Sequence, residues 1–220
     1  MKTTYKFLKA LKQNNNRAWF IQNKTLYEAS LEEMKIFMHD LKELMNLHDE
    51  IEGEGKLFRI YRDVRFSHDK TPYKTGWSGS FRRATAKLRG GYYIHIAPGN
   101  TFVTGGFFNP NTPDLNHIRQ QIAADPDPLR KILKSKQFTG YFKEIIGEKV
   151  KTSPKGFTKE HPDLDLISFK QFLITHKFNE QEVISEDFPA TVNQGFKNMR
   201  PFFNYMSEIL TTDLNGVSLI

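Results

Sequence analysis

Apolar residues recur at helical spacing along the first fifty positions. Over residues 3–12, Tyr5, Leu8 and Leu11 stand three apart among lysines, and the run stops at Asn14-Asn15-Asn16. This predicts a short amphipathic helix closed by turn formers, with Asn16 free to cap the next helix. From Tyr27 the apolar positions Leu31, Met34, Met38, Leu41 and Met45 alternate four and three apart, with Glu32, Glu33, Lys35 and Lys42 opposite. One stripe of that length predicts a single helix over about 17–46.

The period changes after Gly53 and Gly55. Short runs rich in aromatic and β-branched residues predict strands at Leu57–Phe66, Trp77–Arg82, Tyr92–Ala97 and Thr101–Phe107. The last two are joined by Pro98-Gly99-Asn100, and Tyr92, Ile94 and Ile96 alternate with Tyr93, His95 and Ala97, which predicts a central hairpin over about 91–107 and hence an antiparallel sheet. Helical spacing then returns. Asp114 is the expected cap of a helix reaching Ala123, a basic helix is expected near Leu129–Lys136, and Phe138–Ile146 continues in helical steps. Lys151–Pro162 reads as loop and Phe172–Phe178 as a further strand. The final residues, from Val192 to Leu210, predict helices broken at Pro201. The order is α+β: an antiparallel sheet flanked by an N-terminal long helix and C-terminal helices, expected as a single domain over 1–220.

Composition narrows the class. The chain has 19 Phe, 8 Tyr and 2 Trp, so aromatic packing must supply much of the core, and no cofactor or metal is expected to be needed for it. There is no cysteine, which removes disulfides, thiolate catalysis and cysteine metal sites and fits a reducing compartment. No signal-like or bilayer-length apolar run is present, so the expectation is a cytoplasmic protein with no membrane partner.

Charge is the least uniform property. Residues 51–90 hold ten Lys/Arg (Lys56, Arg59, Arg62, Arg65, Lys70, Lys74, Arg82, Arg83, Lys87, Arg89) against four acids (Glu52, Glu54, Asp63, Asp69), so nearly all of the net +7 belongs to one segment. Guanidinium forks match phosphate and carboxylate oxygens, and an aspartate among them can fix an arginine rotamer. Arg59, Arg62, Arg65, Lys70, Tyr73 and Lys74 are therefore candidate ligand-binding residues for an anionic small molecule or nucleic acid. The structural alternative is an ion-pair network in which Asp63 and Asp69 satisfy two of the cations.

The run Arg59-x-x-Arg62-Asp63-x-Arg65-Phe66-Ser67-x-Asp69-Lys70-x-Pro72-Tyr73-Lys74 resembles the signature of a mainly microbial family catalogued as a domain of unknown function. Asn15, Arg17, Trp19-Phe20, Asn23-Lys24 and Tyr27 resemble its amino-terminal pattern. Gly105-Gly106 with Pro110, Lys155-Gly156 and His161-Pro162 also have the look of that family. The resemblance implies one intact domain and marks these positions without assigning them a role.

Other chemistry is weakly signalled. The seven histidines have no zinc-site spacing, Gly76-Trp77-Ser78-Gly79-Ser80 fails the nucleophile-elbow pattern, and the Gly-Gly pairs match no phosphate loop. His161 near Asp163 and Asp165 reads more economically as a capping turn than as a metal group. Asp63, Asp69 and His95 remain as candidate catalytic residues. Tyr61, Tyr73, Trp77, Phe81, Tyr92 and Tyr93 among cations invite a stacking surface for single-stranded nucleic acid, against the commoner reading of sheet aromatics as core. Three functions stay open: binding of a phosphorylated or other anionic ligand through 58–74, an enzyme on a phosphoester with Asp63 or Asp69 as base or metal ligand, and a protein-interaction domain with an acidic partner.

Overall fold

The structure, a computed structural model, describes residues 1–65 and 68–220. Helices α1 (Lys2–Gln13), α2 (Arg17–Gln22) and α3 (Lys24–Asn46) precede strands β1 (Lys56–Leu57), β2 (Trp77–Arg82), β3 (Gly91–Ile96) and β4 (Thr101–Phe107). Then come α4 (Thr112–Ala124), α5 (Asp127–Lys134), α6 (Lys136–Tyr141) and α7 (Leu164–Ile167). Strand β5 (Phe172–Phe178), α8 (Glu180–Ile184) and α9 (Phe188–Thr211) complete the chain. The strands form one antiparallel sheet in the order β1-β2-β3-β4-β5, so the α+β class and the central hairpin stand. The hairpin turn closes with the Asn100 amide donating to the Ala97 carbonyl at 2.9 Å. Among the described residues no helix is long and apolar enough to cross a membrane.

The backbone groups into two compact units. One comprises Met1–Phe81, Tyr93–Val103 and Lys177–Gln194, the other Arg82–Tyr92, Thr104–His176 and Gly195–Ile220. In the first, Met34, Leu41 and Met45 of α3 are wholly buried together with Phe7, Leu8 and Leu11 of α1. Each such side chain contributes roughly 1.5–3 kcal/mol. The indole of Trp77 donates to the Ser30 hydroxyl at 2.9 Å. Gly79 leaves room for Met38, whose sulfur would lie 2.5 Å from an added Cβ.

In the second unit, Tyr92 packs against Phe196 and Phe203, each 4.8 Å away between ring centres. Arg83, 5 % exposed, donates to the Arg89 carbonyl, the Ser207 hydroxyl and the Asn204 side chain, and Arg89 pairs with Asp114 at 2.5 Å. Two of the ten cations of residues 51–90 are thus fold-holding. At Gly106, with φ at +136°, an added Cβ would collide with the Phe172 carbonyl oxygen, so only glycine lets β5 approach there.

Five sequence expectations change. The predicted 17–46 helix breaks at Asn23, whose backbone N–H and side-chain amide both donate to the Trp19 carbonyl at 3.0 and 2.9 Å and end the first turn pair. The predicted strand over Leu57–Phe66 shrinks to β1 and one isolated bridge, Tyr61 to Tyr73, because local side-chain bonds replace the ladder; its last residue, Phe66, lies outside the described residues, as does Ser67. The cap of α4 is Asn111, accepting from the Asp114 amide at 2.8 Å, rather than Asp114. Helical steps from Phe138 stop at Tyr141, since Lys143 takes a φ of 70° and Ile146 pairs with Leu173. Finally, α9 runs through Pro201 without breaking. Burial of Phe196, Met199, Phe202, Phe203 and Met206 offsets the missing backbone donor.

Candidate functional site

The basic segment is a narrow strap. After Lys56 and Leu57 pair with Ser80 and Gly79, the Phe58 amide donates to the Ser78 carbonyl at 2.9 Å and the chain leaves the sheet. It returns on itself through Arg62 N–H to Pro72 O at 2.9 Å and Lys74 N–H to Ile60 O at 2.8 Å. Asn15, in the link between α1 and α2, fastens the strap from outside: its side chain donates to the Tyr73 carbonyl at 2.9 Å and accepts from the Tyr73 amide at 3.2 Å.

Beneath the strap lies an aromatic bed. Tyr73 stacks on Phe20 at 4.0 Å and 10°, Phe20 meets Tyr27 at 4.9 Å and Tyr61 at 5.7 Å, and Tyr27 stacks on Trp77 at 6.0 Å. Tyr73 is 5 % exposed while Tyr61 is 46 % exposed, so Tyr73 sits in the bed and Tyr61 at its edge. This gives Phe20, Asn15 and Tyr27 a physical role, holding the strap's shape, which spacing alone did not reveal. Of the six aromatics that invited a stacking surface, Tyr73, Trp77, Phe81 and Tyr92 are core, the commoner reading of sheet aromatics.

On top of the bed the charges are sorted. Asp63 accepts from Arg65 at its Nε (3.0 Å), Nη2 (2.7 Å) and backbone amide (3.2 Å). The Arg65 guanidinium holds the Asp63 carboxyl below its ordinary range. Asp69 accepts from the Thr71 amide at 2.9 Å and hydroxyl at 2.8 Å and also pairs with Arg62. The Thr71 bonds first, then Arg62, hold its carboxyl low as well. Lys70 Nζ donates to the Val64 carbonyl at 3.0 Å and Lys74 Nζ to the Arg59 carbonyl at 3.2 Å. Arg59, Lys70 and Lys74 form no ion pair with a carboxylate among the described residues, and the Arg59 charge acts on Asp63 only as a minor influence beside Arg65.

His95 is half-buried on β3, facing Gly76, where an added Cβ would lie 2.8 Å from the imidazole. Burial, with a smaller contribution from the nearby Lys74 charge, pushes its pKa below 6.5. Asp63 and Asp69 are held low by separate partners, Asp63 by Arg65 and Asp69 by Thr71 and Arg62. Among the described residues no group of three or more metal-ligating side chains forms.

Elsewhere, Arg130 clasps Asp163 at 2.7 Å and Asp165 at 2.8 Å, and the His161 ring accepts from the Asp163 amide at 3.1 Å. Those acids serve a turn and an ion pair that spacing did not link to Arg130. Sequence reasoning also passed over Phe58 and Phe102, which lie half-buried beside Tyr93.

No curated protein and no solved structure matches this chain. A family model described as a conserved hypothetical protein, DUF2461, matches residues 3–205, a span that includes the strap, the aromatic bed that carries it and the whole sheet. The chain therefore belongs to the DUF2461 family.

Proposed function

We propose that this protein binds a phosphate-bearing or similarly anionic ligand through the strap over residues 58–74. The observation that carries this reading is the division of charge. Each aspartate is ion-paired with one arginine, Asp63 with Arg65 and Asp69 with Arg62, while Arg59, Lys70 and Lys74 face solvent or half-face it with no ion pair among the described residues. Ammonium groups tethered to carbonyls of the strap keep two further donors each for a ligand. Arg62 and Arg65 contribute guanidinium edges held by their aspartates, and Tyr73 stacks on Phe20 within the bed. A binding role accounts for this arrangement better than general-base chemistry does, because both carboxylates are tied and ionised.

Thermal unfolding in the presence of inorganic polyphosphate tests the reading, using wild type and the combined variant Arg59→Ala, Lys70→Ala, Lys74→Ala. At about 100 times its dissociation constant, a ligand stabilises the folded state by about 2.7 kcal/mol, and each kcal/mol raises the midpoint by roughly 2–4 °C. The expected result is a rise in wild type that shrinks with added salt and vanishes in the variant. No rise, or an equal rise in both proteins, overturns it.

A further inference from the structure

Half-buried side chains on the sheet line up into a continuous row of rings. Along β3, Tyr92, Ile94 and Ile96 are buried while Tyr93 and His95 are half-open; on β4, Val103 is buried and Phe102 half-open. Phe58, one residue past β1, joins them across Ser78. Neighbouring rings meet in sequence: Phe58 to Tyr93 at 6.4 Å, Tyr93 to Phe102 at 6.2 Å and Phe102 to His95 at 5.2 Å, tilted by 33–49°.

Cations stand at both ends of the row. Lys56 Nζ lies 5.1 Å from the centre of the Phe58 ring, and Lys74 lies near enough to His95 for its charge to act on the imidazole. Arg59 adjoins Phe58 in the chain and is tied to Lys74 through its carbonyl. Ser78 and Ser80 of β2 alternate with Trp77, Gly79 and Phe81, whose side is taken up by the core.

A row of half-open rings between positive ends is suited to bases with phosphates alongside. We infer that this face binds single-stranded nucleic acid, its bases laid on Phe58, Tyr93 and Phe102 and its phosphates met by Lys56, Arg59 and Lys74. The inference rests on the anion-binding reading of the strap and adds the chemistry of what the anion carries. Three features favour a single strand over other phosphates. Rings offer their faces to any base, so stacking contributes without sequence readout. Centres 5.2–6.4 Å apart exceed the roughly 3.4 Å rise of stacked duplex DNA, so bases placed ring by ring must be unstacked from one another. A row of several rings also gives a strand more contacts than a lone nucleotide can use.

Fluorescence anisotropy with a labelled single-stranded oligothymidine, its duplex with oligoadenine, and unlabelled thymidine triphosphate as competitor tests this. The proteins are wild type, Phe58→Leu, Phe102→Leu and the combined Arg59→Ala, Lys70→Ala, Lys74→Ala variant. Leucine keeps apolar bulk and removes the ring face, and matching unfolding midpoints confirm that each variant is folded. The expected pattern is binding of the single strand at least tenfold tighter than the duplex, weakened about tenfold by either leucine substitution. Losing two of the three phosphate contacts, Arg59 and Lys74, in the combined variant should flatten the dependence of log affinity on log salt by about 1.4.

If the strand binds no better than the duplex or the free nucleotide, or the leucine variants bind as wild type does, the nucleic-acid inference falls. The polyphosphate result then decides the anion reading separately. If neither polyphosphate nor oligonucleotide binds wild type, both fall together.

Discussion

His95 shows how one side chain can be placed by pattern and yet given its chemistry by its neighbours. Alternation with Ile94 and Ile96 sets the face it occupies, but its lowered pKa comes from burial against Gly76 and Phe102 and then from Lys74, a residue 21 positions earlier. The sign of the consequence is fixed by linkage. The unfolded chain takes up a proton at His95 near pH 6.5 while the folded chain takes it up only at lower pH, so stability present at neutral pH declines as pH falls through that window. Denaturant titrations between about pH 7.5 and 5.5 should show the decline, and His95→Gln should lessen it. An unchanged slope in the variant would remove burial of the neutral imidazole as its cause. Asp63 and Asp69 show the same dependence on neighbours: both were legible as acids of the basic run, but their partners Arg65, Thr71 and Arg62 are seen only in the fold.

Among the elements, those with strong internal periodicity were legible and those held by side-chain exchange were not. Strands β2 and β4 have the limits expected from their runs of aromatic and β-branched residues, most of which are buried. The strap was expected as a strand, yet Asp63 and Asp69 bond the chain two residues on and turn it away from the sheet. Helix α9 poses a sharper test. Pro201 removes one backbone donor within a continuous helix and its own side chain is exposed, so Pro201→Ala should stabilise the protein by about 1–2 kcal/mol after allowance for the freer unfolded chain. Chemical denaturation measures it. A loss of stability instead would mean that the proline ring itself helps to seat Phe202 and Phe203 in the core.

For the molecule as a whole, we propose that the two compact units unfold together, as the expected single domain requires. The limits between them fall inside β2, β3, β4, β5 and α9 rather than in a linker, so neither unit can lose its structure without cutting a strand or helix of the other. Calorimetry should show one transition, with equal calorimetric and van't Hoff enthalpies. Two separated transitions would overturn this.

The class of the fold, its central hairpin, the main helical stripes and the location of excess charge were all available from the chain, because periodicity and composition are local properties that burial must respect. Only folding decided which residues meet. Asn15 and Phe20 come to Tyr73 across more than fifty positions, Arg130 comes to Asp163, and Phe58 comes to Tyr93 and so to Phe102. Such meetings depend on the register of the sheet and the path of the strap. A pattern with period two or 3.6 places a side chain on a face but leaves its partner open.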